Sequence, residues 1–200
     1  MTENKLNIDD PALLADTEER IAKKKALLLF DRGGLELKNP GSFEALREIH
    51  RYLFEDIYTF AGKVRGVDMS KGGFLFAPVC YLSETLNKIE KMPQSDFFET
   101  VEKYVEMNIA HPFRDGNGRS MRIWLNCILQ KVTGQIVDWS LISEDEYLSA
   151  MEKSVADDSK IKKLLESALS DRAIDRDVYM RGIDRSFLYE GMSLYKTEEL

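Results

Sequence analysis

The stretch His111-Pro112-Phe113-Arg114-Asp115-Gly116-Asn117-Gly118-Arg119-Ser120-Met121-Arg122 decides the architecture of this chain. It interrupts two apolar-periodic segments. Before it, Phe98, Val101, Val105 and Ile109 share one face up to Ala110. After it, Met121, Trp124, Leu125, Ile128, Leu129 and Val132 follow at helical steps, which predicts a helix on each side of a Pro- and Gly-containing loop. Ile123 and Cys127 lie off the second stripe, so that helix is expected to be central and enclosed, ending near Gly134.

Working outward, Asp10-Pro11 reads as an N-cap and first helical position for a helix to about Phe30, stopped by Gly33 and Gly34. Ser42 caps the next, whose face of Phe43, Leu46, Ile49, Leu53, Phe54, Ile57 and Phe60 ends at Gly62. Ser83 and Ser95 are expected to cap two further helices. Between them and Gly62, the β-prone residues Val64, Val67, Met69, Phe74 and Phe76 flank a turn at Ser70 to Gly73, predicting a small hairpin. Its tip is placed within Lys71, Gly72, Gly73, Phe74, Leu75 and Phe76. A lone hairpin is marginal in water, so it must pack on helices or recognise a partner. Toward the C-terminus, Ser143 and Glu146 form a capping box, Ile161, Leu164, Leu165, Ala168 and Leu169 mark a helix, and a last helix spans about Asp175 to Glu190 with Gly191 as its stop. The expected fold is all-α, a single helical domain over 1–200 around a central helix, carrying one small β-hairpin flap.

At 200 residues and a net charge of −7, with no isolated Lys/Arg block, the chain disfavours a nucleic-acid partner. Its longest uncharged runs fall short of the roughly 18 residues of a membrane span, and Met1 to Asp10 lacks the regions of a signal peptide, so a cytoplasmic location is expected. Cys80 and Cys127 make no disulfide framework and read as reduced, semi-buried small apolar residues.

The residue types in the 111–122 stretch share one use. Gly116 and Gly118 permit positive φ and close backbone approach, and the helix that follows offers free N–H groups and a positive dipole end, which together suit an anion. Arg119 and Arg122, at i and i+3, stand roughly 5–6 Å apart at Cβ on one face, so two guanidinium forks converge on a polyphosphate. Asp115 is placed to hold Mg²⁺ beside such phosphates. His111, with an ordinary pKa of about 6.5, is suited to take a proton from an attacking hydroxyl. His50, inside an amphipathic helix, reads as an ordinary helix residue.

HPFRDGNGRSMR matches every position of the Fic-domain signature, and the resemblance extends through the 43–62 helix, the hairpin and the flanking helices. Resemblance to Fic proteins implies transfer of AMP from ATP to a protein hydroxyl. It implies His111 as base, Phe113 as a core anchor of the loop and Asp115 as the Mg²⁺ ligand. Gly116, Asn117 and Gly118 would then form the anion cradle, Arg119 would hold the β-phosphate and Arg122 the γ-phosphate, and the flap would align the target by strand addition.

Ser186-Phe187-Leu188-Tyr189-Glu190-Gly191 similarly resembles the inhibitory motif that short Fic proteins carry on a C-terminal helix. Ser186, Glu190 and Gly191 would be its functional positions, with Glu190 pairing with Arg122 in place of the γ-phosphate. From residues alone, a solvated acidic helix end is the plainer reading. The resemblance further implies a homo-oligomer, self-modification, a reverse activity that removes AMP, and a type II topoisomerase subunit as candidate target. Tyr189 and Tyr195 are candidate acceptors of AMP that equally suit simple packing, whereas Phe187 occupies a position where some relatives carry a tyrosine. Two alternatives stay open: transfer of UMP, phosphate or phosphocholine by the same cradle, and a non-catalytic nucleotide-binding regulator, against which the intact His111 argues.

Overall fold

A computed structural model describes residues 4–34 and 37–200; the first three positions of the Met1 to Asp10 stretch lie outside the described residues. Helix α1 (Pro11–Asp31) starts where Asp10 accepts the Leu13 N–H at 2.9 Å with Pro11 behind it, and ends before Gly33 and Gly34, both at positive φ. Its buried face includes Leu14, Ala22, Ala26 and Leu29, and also Glu18, Glu19 and Lys23.

Helix α2 (Phe43–Phe54) is capped by Ser42 as expected but stops six residues short of Phe60. The chain folds back here instead. Gly62, at φ +71°, presses against α2 and donates its N–H to His50 Nδ1 at 2.9 Å, while the Ile57 carbonyl accepts Lys5 N–H and Tyr58 bridges to Asn4. Ile57, Tyr58 and Phe60 remain buried, so the apolar stripe continues although the helix does not.

The hairpin is shorter than its β-prone flanks: β1 (Ser70–Lys71) pairs antiparallel with β2 (Phe74–Leu75) through Ser70↔Leu75 and Lys71↔Phe74. Gly72 and Gly73, at φ +59° and +82°, make the two-residue turn that needs positive φ at both positions. Helix α3 (Val79–Glu90) begins four residues before the expected cap, Ser83, because Asp68 from the hairpin stem accepts the Val79 N–H at 2.7 Å. Helix α4 (Phe97–Ala110) is capped by Asp96 rather than Ser95, whose N–H and Oγ instead bond Glu99. Cys80 is exposed on α3, against the semi-buried expectation, and Cys127 is partly buried.

Helix α5 (Asn117–Thr133) is the centre of the molecule and contacts α2, α4 and the last helix. Met121, Trp124, Leu125 and Leu129 are fully buried on it, and each such side chain contributes roughly 1.5–3 kcal/mol of transfer free energy. A second sheet, absent from the sequence reading, joins β3 (Ile136–Val137) to β4 (Leu169–Ser170), which takes Leu169 out of the expected helix. Helix α6 (Glu144–Lys153) carries the Ser143/Glu146 capping box, α7 (Ser159–Ser167) follows, and α8 (Arg176–Leu188) runs from an Asp175 cap back along α1 and α5. The all-α expectation with a small hairpin holds. Among the described residues no helix is long and apolar enough to cross a membrane.

Candidate active site

The 111–122 loop is built from both ends. His111 closes α4 in the left-handed region at φ 49°, ψ 61°, a conformation uncommon for a side-chain-bearing residue. Gly116 opens α5 at φ +73°, and a Cβ there would collide with the Phe54 ring. Between them the Asn117 side chain turns inward: Oδ1 accepts the Phe113 N–H at 2.9 Å and Nδ2 donates to the Phe113 carbonyl at 2.8 Å. The Asn117 side chain is therefore committed to holding the loop, and only its backbone is left for the start of α5. Phe113 is fully buried, stacked on His50 with centroids 3.9 Å apart. By position, the first amides of α5 lack intrahelical partners and face outward from the helix start.

His111 lies at the mouth of this loop with its ring stacked on Phe76 of the hairpin, centroids 3.7 Å apart and planes 12° apart. Burial lowers its pKa to about 4, helped by Arg65 and Lys71. The Asn108 carbonyl and Glu190 oppose this, the former falling short of a full hydrogen bond to the buried Nδ1. The imidazole is consequently neutral at pH 7.

Both arginines are 2% exposed. Arg119 pairs with Glu18 of α1 and, through Nη2, with Asp115 Oδ1 at 3.0 Å, its guanidinium lying over the Phe54 and Phe187 rings. Arg122 donates Nε to Ser186 Oγ at 2.7 Å and Nη2 to the Ser186 carbonyl at 2.6 Å and Glu190 Oε1 at 3.0 Å. Tyr147 and Tyr189 present their rings to it, and Tyr147 OH stands 3.4 Å from Nη1. Asp115 is half exposed, its Oδ1 also accepting the Gly116 N–H.

Glu190 lies in the turn beyond α8, with Gly191 at φ +77° completing the stop. Its carboxylate sits over Gly118, where a Cβ would clash with Oε1. Burial alone would raise its pKa, but Arg122, Lys71 and Arg119 outweigh that and hold it at about 2. Lys71 of the hairpin reaches Glu190 Oε2 at 3.3 Å.

The loop, the hairpin and the end of α8 thus meet at one place. Gly72, Gly73 and Leu75 of the expected flap tip stay exposed to solvent, Phe74 is half-buried, and Phe76 is buried against His111. Tyr189 is 2% exposed and donates to the Trp139 and Ile142 carbonyls, so it packs rather than standing free as an acceptor, while Tyr195 is half-buried.

Three contributors went unread in the sequence. Glu18 supplies the carboxylate under Arg119 and also accepts from Tyr58 OH. Its signal was a charge on the apolar i, i+4, i+8 row of Leu14, Glu18 and Ala22. His50 is a brace: with Nδ1 accepting Gly62 N–H, Nε2 carries the proton and donates to the Asp115 carbonyl at 2.8 Å. Arg65 donates to the His111 carbonyl at 2.8 Å, and nothing local announced it.

A family model described as the Fic/DOC family matches residues 40–129. Protein adenylyltransferase VbhT of Bartonella schoenbuchensis is 28% identical over 189 residues, 88% of this chain; the chain spans only 38% of VbhT's length. y4lH of Sinorhizobium fredii, named a probable protein adenylyltransferase, is 28% identical over 167 residues, 78% of this chain and 83% of y4lH. Among solved structures, the N-terminal Fic domain of a Bep effector from Bartonella sp. AR 15-3 superposes with a TM-score of 0.74 at 22% identity, over 86% of this chain and 89% of that one. BepC of Bartonella tribocorum, solved with bound AMPPNP, gives 0.70 at 22% identity over 84% and 91%. The signature loop, the helical architecture and the family match converge on one stretch: residues 40–129 of this chain are similar to the Fic/DOC family.

Proposed function

We propose that this chain is a protein adenylyltransferase, moving AMP from ATP to a hydroxyl side chain of a protein, and that Glu190 holds it in check. The observation that carries the reading is the Glu190 carboxylate lying over Gly118 at the anion-suited start of α5 and paired there with Arg122, in the same loop that carries His111. Relatives named as protein adenylyltransferases and a neighbour solved with AMPPNP support ATP as the donor.

In this reading the backbone of Gly116, Asn117 and Gly118 and the guanidinium groups of Arg119 and Arg122 receive the phosphates. The target's hydroxyl oxygen bonds to the α-phosphorus, the bond from that phosphorus to the bridging oxygen of the β-phosphate breaks, and pyrophosphate leaves. The hydroxyl proton passes to His111 Nε2. Catalysis is then mostly positioning and charge stabilisation. Magnesium fits Asp115, the half-exposed carboxylate on the rim, since that ion takes one or two carboxylates and completes its shell with phosphate and water. When bound it would neutralise charge on the departing pyrophosphate.

Glu190 occupies the place proposed for the γ-phosphate, so ATP must either displace it or bind in a pose that points the α-phosphorus away from His111. Ser186 keeps Arg122 oriented toward that carboxylate.

The test is to incubate wild type, Glu190→Gly and His111→Ala with Mg²⁺, cell lysate, and ATP labelled on the α- or the γ-phosphate. The expected result is α-label on protein, strong in Glu190→Gly, weak in wild type and absent in His111→Ala. γ-Label would mean phosphoryl transfer. No label from either position, with nucleotide still raising the melting temperature, would replace the transferase by a nucleotide-binding regulator.

A further inference from the structure

Arg65 is 3% exposed and makes no ion pair within 4 Å among the described residues. Its guanidinium is instead spent on four carbonyl oxygens. Nη1 donates to Val67 O at 2.6 Å and Nη2 to Ala77 O, which are the two stems of the hairpin. Nη2 also donates to Ala110 O at 3.1 Å, and Nε to His111 O at 2.8 Å, the end of α4 and the proposed base itself. The Arg65 backbone N–H meets Pro112 O at 2.8 Å, one residue further on. A charged donor shared among four carbonyls, two at the negative end of a helix, gives stronger bonds than neutral ones. Around it, Ala77 N–H donates to Ile109 O and Phe76 N–H to Met69 O, and Phe76 stacks on the His111 ring.

His111 needs such a hold. It lies in the left-handed region, where a residue with a side chain persists only if its surroundings over-determine it. Arg65 bonds the carbonyl of that very residue.

We propose that Arg65 is a positioning residue that clamps both hairpin stems to the His111 backbone, so that a target strand engaged at the hairpin is held in fixed register with the base. Arg65 stands behind the loop and touches no phosphate subsite. The inference rests on the reading of His111 as base and of the hairpin as target dock.

The test uses Arg65→Lys and Arg65→Met, each in the Glu190→Gly chain, with amide hydrogen exchange followed residue by residue and AMP transfer followed kinetically. The expected result is a loss of protection at Phe76 and Ala77, with α1 and α8 exchanging as before. The KM for Mg-ATP should hold while kcat falls roughly 10- to 100-fold, the cost of a base misplaced by about an ångström. Lysine should recover part of the loss because it still donates. Unchanged protection at Phe76 and Ala77, or protection lost evenly through α1 and α8, would overturn the clamp. If the Glu190→Gly parent transfers no AMP, the proposed function fails, and the exchange pattern alone decides whether Arg65 joins hairpin to loop. Should neither variant fold, the wild-type chain decides: Phe76, Ala77 and His111 amides must open together as one unit, and independent opening would refute the proposal.

Discussion

Lys71 at the hairpin tip stands 3.3 Å from Glu190 Oε2, so the proposed target dock and the proposed brake touch. The pair is unequal: Lys71 is 68% exposed, whereas Arg122, on the other oxygen, is 2% exposed. Exposed ion pairs contribute about 0–1 kcal/mol, so Lys71→Met should raise basal AMP transfer by no more than about 5-fold. An increase as large as that of Glu190→Gly, scored on the same α-labelled ATP, would make Lys71 and not Arg122 the anchor.

The proposed base, His111, should keep working well below neutral pH. His111 titrates at about 4 in the fold, so kcat/KM of Glu190→Gly is expected to stay level from pH 8 down to about pH 5.5. A fall centred on about pH 6.5, the ordinary imidazole value, would place His111 in solvent.

Stability should follow a different course over the same range. Burial lowers both histidines to about 4, so the unfolded chain, titrating at about 6.5, binds more protons between those values. The stabilisation is therefore complete above about pH 6.5 and is lost as pH falls through 4, at a cost on the order of a few kcal/mol. Glu190, held at about 2 against 4.5, loses its own contribution as pH drops below 4.5 toward 2. Urea midpoints at pH 7, 5.5 and 4.5 measure the first window, and equal midpoints would contradict it.

Glu18 should matter as much as a motif residue. It is buried and pairs with a buried Arg119, whose remaining carboxylate partner, Asp115, is half exposed. Breaking a buried pair from one side costs about 3–5 kcal/mol, so Glu18→Gln should lower the unfolding free energy by an amount near that range and weaken nucleotide binding. Thermal unfolding with and without Mg-ATP checks both. An unchanged melting temperature would mean that Asp115 alone satisfies Arg119.

His50→Phe keeps the stack on Phe113 but orphans the buried Gly62 N–H, at about 1–3 kcal/mol, and the part-buried Asp115 carbonyl. His50→Gln, which can still donate and accept, should lose less. The same loss in both would assign the brace to ring packing.

The parts of this site that were legible in the sequence are those set by neighbouring residues. The turn at Gly116, the stop at Gly191 and the i, i+4 placement of Ser186 and Glu190, which both meet Arg122, depend on spacing within about one helical turn. The bonds of Glu18 to Tyr58 and Arg119, of His50 to Asp115 and of Arg65 to His111 span 40 to 101 positions of the chain, and no local pattern encodes such a partner. The errors share that cause. Periodicity registers burial, so it continued through Ile57 and Phe60 after the backbone had turned at Phe54. Helix α3 starts at Val79 because Asp68 caps it from another element, and Ser83 offered a local cap that was not needed.

Gly118 bears on how a lineage of such chains can change. Its missing Cβ leaves the space that the Glu190 carboxylate fills and that an arriving phosphate would have to use. Any side chain at 118 would displace the Glu190 carboxylate and obstruct the proposed donor site in the same event, so under the proposed brake a substitution there trades one form of silence for another. If Glu190 is the brake proposed above, mutational escape is thereby funnelled to Glu190 and its immediate supports, positions whose loss leaves the start of α5 intact.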